Sequence, residues 1–344
     1  MTRRAWAAVA AGWCLVLSAC SGSGPGAARH SGPPPNQQIA GAATLHGVRF
    51  PLTGLPAPYA AAARRPSLTV KIDNVSGAWP QAGLNQADIV FDAEVEGGLT
   101  RLTVVYQSHG APLVGPIRSA RPVDAYLLRL LHGGYFAFSG ASPGEMKPVR
   151  RFSHAALLYA DADPAPFSRR GDHLAPHNLF SSTRRLFQAL HRQAPHMHGP
   201  PPVFTFSTAT PAGVPTTSVS VPFPTATAQW RWTGRDWVRT QDGHPDTLMS
   251  HARVSATNVV ILSVKVVGTG IFETNGAQDP LPVTVGTGKC WVLRDGVRIP
   301  GTWQRNRIAD RLRLFDSAGH PIPLRPGRTW VELMPRNGAP SFHR

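Results

Sequence analysis

Cysteine is scarce in this chain of 344 residues, which contains only Cys14, Cys20 and Cys290. Cys14 lies in an N-terminal segment that we interpret below as a signal peptide, so only Cys290 stays as a free thiol after export. One free thiol excludes a disulfide framework and a cysteine-based zinc cluster. The sequence therefore argues against thiol chemistry and cysteine-bound metals.

Lysine is scarce as well, since four of the 35 basic residues are lysines and the other 31 are arginines. Arginine offers paired N–H donors to phosphate or carboxylate oxygens, which lysine does not. Acidic residues number 19, so the formal net charge is +16. In an exported protein this charge favours envelope polymers or lipid headgroups as neighbours. No motif predicts binding to nucleic acid.

Long apolar runs are confined to the N-terminus. Arg3 and Arg4 precede an apolar stretch over residues 5–17, and the following Leu-Ser-Ala-Cys20 has the form of a bacterial lipobox. We predict that residues 1–19 are a signal peptide and that Cys20 becomes an acylated N-terminus, which anchors the protein at the extracytoplasmic face of the cell membrane. The alternative is an ordinary signal peptide with an incidental cysteine. No later segment reaches the roughly 18–20 consecutive apolar residues of a membrane span.

Composition divides the rest of the chain. Residues 20–50 include a stretch rich in glycine, serine and proline, which predicts a flexible tether. Prolines accumulate over residues 195–224 and indicate a domain boundary near residue 200. We therefore expect an N-terminal domain at 51–200, a C-terminal domain at 201–336 and a tail at 337–344.

Hydrophobic periodicity predicts the elements of both domains. In the first domain, strands are expected at 68–73, 88–95, 101–107 and 135–139, and helices at 122–131 and 182–191. In the second domain, strands are expected at 229–232, 237–240, 258–267, 290–294, 311–315 and 329–333. The predicted fold class is α+β, or mixed α/β, with a mixed sheet and helices in the N-terminal domain and a β-rich C-terminal domain.

Residues 88–107 are predicted to form a hairpin with a polar face. Alternation along the first strand places Asp92, Glu94 and Glu96 on one side. If the two following glycines form a two-residue turn, Glu94 faces Arg101, whereas a longer turn pairs Glu96 with Arg101. Either register predicts carboxylates and an arginine on the same face.

Two interpretations of this face remain open. If it lines a cleft, Glu94 and Glu96 are candidate catalytic groups, acting as a general base or as ligands of a divalent cation. If it faces water, it is the ordinary solvated side of an antiparallel sheet. No spacing among these acids is diagnostic of a metal site, and neither a metal nor a cofactor is predicted.

A second group of candidates precedes the predicted helix at 122–131. Arg118, Ser119 and Arg121 lie just before this helix, where unpaired N–H groups favour an anion. Together with Arg101 they are predicted to bind a phosphate or carboxylate group. The alternative is that the arginines pair with the acids of the hairpin in a buried network that needs no ligand.

A loop contributes two further candidates, Arg169 and His177, which are assigned to the same anionic site. His173 and His177 are four residues apart, but Pro176 disfavours a helix between them, so joint zinc binding is not predicted.

Aromatic and basic residues mark the second domain. Trp230, Trp232 and Trp237 flank a turn and either pack in the core, which the sequence favours, or stack on a sugar. Residues 289–344 carry eleven lysines and arginines against four acids. This patch either attracts anionic lipid or polymer, or is a solvated surface.

Several motifs occur in a fixed order after the lipobox. They include Pro51-Leu-Thr-Gly-Leu55, Glu96-Gly-Gly-Leu-Thr-Arg101, Gly115-Pro-Ile-Arg-Ser-Ala-Arg-Pro122, Ala175-Pro-His-Asn-Leu179 and Pro326-Gly-Arg-Thr-Trp330. This series, over residues 50–336, resembles the YerB-like bacterial lipoproteins, a family with N- and C-terminal domains of unknown function (domain 3048). The resemblance implies a two-domain exported lipoprotein whose biochemical role is not established.

The sequence as a whole predicts a membrane-anchored envelope lipoprotein that binds an anionic, phosphate- or carboxylate-bearing envelope ligand. The residues assigned to binding are Arg101, Arg118, Ser119, Arg121, Arg169 and His177. The expected partners are the membrane, through lipidated Cys20, and an anionic envelope polymer or lipid headgroup. Two alternatives stay open: an enzyme acting on phosphate or pyrophosphate-linked envelope substrates with Glu94 or Glu96 as its catalytic group, and a non-catalytic scaffold for envelope proteins.

Overall fold

The computed structural model of the protein describes residues 47–272 and 276–344. The predicted signal peptide and the predicted acylation site, Cys20, lie outside these residues. Within them the α-helices are α1 (Ala60–Ala63), α2 (Pro122–Leu130), α3 (Pro143–Phe152) and α4 (Thr183–Gln193). None of the helices in the described part of the chain is long and apolar enough to cross a membrane.

The strands of the first half are β1 (Leu68–Asp73), β2 (Ile89–Glu94), β3 (Thr100–Tyr106), β4 (Gly134–Phe138), β5 (Ala155–Tyr159), β6 (Ser168–Arg169) and β7 (Leu179–Phe180). The strands of the second half are β8 (Val214–Pro215), β9 (Ser218–Pro222), β10 (Thr227–Trp232), β11 (Trp237–Gln241), β12 (His244–Pro245), β13 (Ser255–Ala256), β14 (Asn258–Phe272), β15 (Gln278–Val283), β16 (Gly286–Arg294), β17 (Val297–Arg305), β18 (Arg313–Asp316), β19 (Thr329–Pro335) and β20 (Ser341–His343). The predicted α+β class, with a strand-rich C-terminal part, is confirmed.

A mixed sheet forms the centre of the body, with strands in the order β18, β17, β16, β14, β19, β2, β3, β1, β4, β5. β1, β3 and β19 are buried along their whole length. Helix α2 packs on one face of the sheet, and α4 together with a second sheet packs on the other. Both faces of these strands are covered, so even their polar side chains, such as Lys71 and Glu332, are buried.

Strand β19 joins the two halves of the chain. It pairs parallel with β14 on one side and with β2 on the other, and Glu332 has Ile261 and Asp92 as its neighbours in register. The central sheet is therefore continuous across the proline-rich region near residue 200.

The second sheet has the strand order β12, β11, β10, β9, β20, with β13 beside β11. Its tryptophans Trp230 and Trp237 are 1% and 0% exposed. Trp232 is partly buried and packs against the same core. Core packing, the favoured interpretation of these tryptophans, is thus confirmed.

The predicted register of the β2–β3 hairpin is wrong. Asp92 pairs with Leu102 and Ala93 pairs with Arg101, so Arg101 lies on the face opposite to Asp92. A short 3-10 turn over Glu96–Gly98 joins the strands, and both of its glycines have positive φ. Asp92 is also completely buried, so a solvated face does not describe it. Both faces of the hairpin are covered, and for this reason alternation of polar residues does not identify an outer side.

Candidate functional site

An extended segment at residues 114–118 positions the first candidate site. On one side, the N–H of Ile117 donates to the carbonyl of Leu179 in β7 at 2.6 Å. On the other side, the N–H of Arg118 donates to the carbonyl of Lys71 in β1 at 2.9 Å. The segment therefore holds Arg118 beside the end of β1, next to the loop that carries His177.

Asp73, the last residue of β1, holds both of these side chains. Its Oδ2 lies 2.9 Å from Arg118 Nε and 2.7 Å from His177 Nδ1. Asp73 is 1% exposed, whereas the side chains of Arg118 and His177 are 21% and 23% exposed. We call these three residues the Asp73 site.

The Asp73 site leaves donors free. Within the described residues, neither the terminal guanidinium nitrogens of Arg118 nor Nε2 of His177 forms a hydrogen bond. The imidazole packs against the turn at Ser76–Ala78, where a Cβ added to Gly77 would lie 3.2 Å from its Cδ2 atom. A buried carboxylate thus orients a partly exposed guanidinium and a partly exposed imidazole.

The structure brings two more predicted residues near this region without joining them to Asp73. The Ser119 hydroxyl, half-buried, lies 3.4 Å from that of Ser139. Arg169 is exposed and donates to the side chain of Asn178 at 2.7 Å, one residue after His177. Both residues border the site rather than form it.

Arg101 and Arg121 lie instead in an arginine–carboxylate network. Arg101 Nη2 is 2.6 Å from Glu96 Oε1, and Arg121 Nε donates to Glu96 Oε2 at 2.7 Å. Arg121 also pairs with Glu145 and, at 3.2 Å, with Asp279 of β15. Arg101 and Arg121 are only 6% and 3% exposed, which fits the buried-network alternative for these two arginines.

The candidate acids of the hairpin differ in their proton affinity. Burial opposes ionisation of Glu96, but its bonds to Arg121 and the charge of Arg101 outweigh burial and lower its pKa to about 2. A carboxylate with so low a pKa is a weak base. Glu94 is half-buried, and burial raises its pKa.

A second group of charges is completely enclosed between the two sheets. Arg239 of β11 donates from Nη2 to Asp92 Oδ2 and from Nη1 to Asp246 Oδ2, both at 2.7 Å. Its Nε lies 3.9 Å from Glu332 Oε1, and its guanidinium carbon lies 4.7 Å from the ring centre of Trp330. We call Asp92, Arg239, Asp246 and Glu332 the buried charge cluster.

One cation meets three carboxylates in the buried charge cluster. Burial, followed by the charge of Asp92, raises the pKa of Glu332 to about 8. Its Oε1 accepts a hydrogen bond from Trp230 Nε1 at 2.8 Å, while Oε2 is buried with no hydrogen-bond partner among the described residues. Glu332 therefore carries a proton at neutral pH, because a second buried anion beside Asp92 is unfavourable.

A hydrogen-bonded path connects the two sites. The Asn74 N–H donates to Asp73 Oδ1 at 3.0 Å, and Asn74 Nδ2 lies 3.4 Å from Asp92 Oδ2. Gln81 Nε2 donates to Asn74 Oδ1 at 3.1 Å. The orientation of Asp73 thus depends on polar groups that reach the interior.

Sequence reasoning missed Asp73, Arg239, Asp246 and Glu332. The clearest signal is that of Glu332, a charged residue inside the otherwise largely apolar predicted strand 329–333. Asp246 lies outside every predicted strand. The partner of each residue is not readable from this signal, because it comes from a distant part of the chain.

Two other sequence candidates have structural roles. His173 lies 3.1 Å from the carbonyl of Pro80 through Nε2 and is 8% exposed. Among the described residues, no three His, Cys, Asp or Glu side chains are arranged to hold a metal ion. Burial raises the pKa of the Cys290 thiol to about 12, so Cys290 is not a thiolate near neutral pH.

Comparison with known proteins identifies the relatives of this chain. Residues 52–196 match the model of the protein of unknown function (DUF3048) N-terminal domain, and residues 219–331 match that of its C-terminal domain. The putative lipoprotein YerB of Bacillus subtilis (strain 168) is 28% identical over 313 residues, which cover 88% of this chain and 90% of YerB. The crystal structure of Bacillus subtilis YerB superposes with a TM-score of 0.71 at 25% identity, covering 86% of this chain and 99% of YerB.

The segment that matches the N-terminal domain precedes the segment that matches the C-terminal domain, and together they cover most of the described residues. The similarity to a putative lipoprotein agrees with the lipobox that ends at Cys20. The chain therefore belongs to the DUF3048 family of proteins of unknown function, whose N- and C-terminal domains it contains, and it is similar to a putative lipoprotein.

Proposed function

We propose that this lipoprotein binds an anionic, phosphate- or carboxylate-bearing component of the cell envelope at the Asp73 site. One observation carries the proposal: the buried Asp73 carboxylate holds Arg118 and His177 together and leaves their outer nitrogens free within the described residues. Guanidinium and imidazole N–H groups fixed in this way need no reorganisation to receive oxyanion oxygens.

The charge of the whole chain supports the proposal. A formal charge of +16 raises the local concentration of anions and speeds their encounter with the protein. Arg101 and Arg121 contribute to this field, but they are buried and pair with Glu96, Glu145 and Asp279. The recognising groups in the proposal are therefore Arg118 and His177, with Ser119 and Arg169 at the border of the site.

Replacing Arg118 with glutamine, or His177 with asparagine, is expected to weaken binding of anions at least tenfold. Each change removes a hydrogen-bond donor to a charged ligand, a loss of about 1.5–3 kcal/mol. Isothermal titration calorimetry of the full-length protein in non-ionic detergent measures the effect, with inorganic pyrophosphate and poly(glycerol phosphate) as probes. The free energy of unfolding should change by no more than about 1 kcal/mol, because both side chains are partly exposed.

The matched control is Arg235→Gln, since the Arg235 side chain is 90% exposed on a turn of the second sheet. This variant loses the same charge and should bind both probes as the unmodified protein does. Wild-type affinity in Arg118→Gln and His177→Asn, or equal losses in all three variants, would contradict a site at Asp73.

The His177–Asp73 contact also supports a second candidate function, hydrolysis of a phosphate or pyrophosphate ester. A carboxylate on Nδ1 fixes the imidazole so that Nε2 can transfer a proton, and Arg118 can stabilise charge on a phosphoryl oxygen. The substrate for the test is a lipid-linked pyrophosphate, and turnover is measured as phosphate release with and without divalent cations. Turnover should fall at least a hundredfold in His177→Asn. Absence of turnover under every cation would contradict the hydrolytic function.

A further inference from the structure

An apolar groove lies at the outer end of the central sheet, beside the edge strand β18. Its volume is about 310 Å³, near the lower end of the roughly 300–1,000 Å³ of small-molecule sites. Its apolar walls are formed by Val203, Phe204, Leu312, Leu314 and Ile322, each 2–5% exposed. These side chains belong to the same core cluster as the leucines of α2, so the groove is an opening in a packed core.

The rim of the groove is basic. Arg311 and Arg313 line it, are exposed, and form no ion pair within the described residues. They alternate with Leu312 and Leu314, so the extended segment directs its leucines inward and its arginines outward. The rim thus offers two guanidinium groups directly above apolar walls.

Neighbouring arginines add to the positive charge at the rim of the groove. Arg129 and Arg311 both lie close enough to His132, at the C-terminal end of α2, to add to the effect of burial in lowering its pKa. Asp310, next to Arg311 in the sequence, pairs with Arg307 at 3.1 Å, and the hydrogen bond from Arg307, together with the charges of Arg307 and Arg313, lowers the pKa of its carboxyl group. The groove is therefore complementary to a molecule with an apolar chain and an anionic head.

The segment that forms one wall of the groove continues to Phe206, which packs against the first part of the described chain. Gly54 packs against the ring of Phe206, and a Cβ at Gly54 would lie 2.5 Å from that ring. Phe206 directly follows the groove wall at residues 202–205. The wall is thus in contact with the first part of the described chain, which follows the segment that carries Cys20.

We propose that this groove binds one acyl chain of an anionic membrane phospholipid, with the lipid phosphate held by Arg311 and Arg313. Each methylene buried in the groove contributes about 0.8 kcal/mol. Guanidinium groups donate paired hydrogen bonds to phosphate oxygens. In a zwitterionic headgroup the lipid's own cation balances the phosphate charge, so the attraction to Arg311 and Arg313 is weaker. Binding would hold the body at the membrane surface independently of the Asp73 site.

Native mass spectrometry of the full-length protein, extracted from membranes in non-ionic detergent, tests this assignment. After incubation with mixed micelles, we expect one phosphatidylglycerol per chain and at least tenfold lower occupancy by phosphatidylcholine. The double variant Arg311→Gln/Arg313→Gln should lose phosphatidylglycerol tenfold or more. Thr205→Trp, which fills the groove from its exposed wall without changing charge, should lose it as well.

The charge-matched control is Arg150→Gln/Arg151→Gln on α3, two exposed arginines outside the groove. This control should bind phosphatidylglycerol as the unmodified protein does. Four outcomes would each overturn the assignment: equal binding of the two phospholipids, a bound free fatty acid in place of phospholipid, occupation of the groove by the protein's own acyl groups, and no bound lipid.

Discussion

Replacing Arg239 with methionine is expected to lower the free energy of unfolding by about 3–5 kcal/mol. Arg239 is the cation of the buried charge cluster and is completely buried. Methionine would leave the carboxylates of Asp92 and Asp246 without their counter-charge in a region of low dielectric constant. Urea unfolding followed by tryptophan fluorescence measures the loss, and Trp230 and Trp330, which line the guanidinium, report on the same region.

The matched control is Arg231→Met on the neighbouring strand β10, where Arg231 is exposed. Its effect should stay within about 0.5 kcal/mol. The loss in Arg239→Met should also shrink at acidic pH, because protonated carboxylates need no cation. Equal stabilities of the two variants would mean that the cluster does not contribute to the junction between the sheets.

Replacing Glu332 with glutamine should remove a large part of the pH dependence of stability. The folded-state pKa of about 8 lies above the ordinary value of 4.5, so the folded protein binds a proton that the unfolded chain releases. This contribution is present in full below pH 4.5 and is lost as the pH rises through about 8. Its size is on the order of 5 kcal/mol, since the two pKa values differ by about 3.5 and one pKa unit corresponds to about 1.4 kcal/mol.

The measurement is the free energy of unfolding between pH 5 and pH 9. The unmodified protein should lose stability over this range, whereas Glu332→Gln should lose much less and be the more stable protein at pH 9. Glutamine still offers Trp230 an acceptor oxygen. Asp163→Asn is the control, because Asp163 is exposed and its substitution should leave the pH dependence of the free energy of unfolding nearly unchanged. Identical slopes in wild type and Glu332→Gln would refute a protonated Glu332.

Element positions were predictable from the sequence where one local signal dominates. Helix α2 is predicted at 122–131 and observed at Pro122–Leu130, because proline suits the first helical turn and leucines form an apolar stripe. Helix α3 is not predicted, although Ser142 and Glu145 form a capping box at its start. The proline inside that helix, Pro148, obscures the signal.

The candidate site was only partly predictable, because its contacts join distant residues. The sequence groups Arg118 and His177 in one predicted site, but it does not identify Asp73, which contacts both and lies 104 positions from His177. Arg239 and Asp92 are 147 positions apart. No local sequence pattern predicts contacts between residues so far apart in the chain. In a strand that is buried on both faces, alternation also does not show which side a charged residue faces.

The central position of β19 affects how the protein is made. A protein chain is made from its N-terminus, so β19 emerges only after every strand from β1 to β18. Until it emerges, β2 and β14 each lack a partner along one edge, and open edges of this kind invite pairing with other chains. The main sheet is therefore complete only once β19 has been made, and a chain that stops short of residue 329 would leave both edges uncovered.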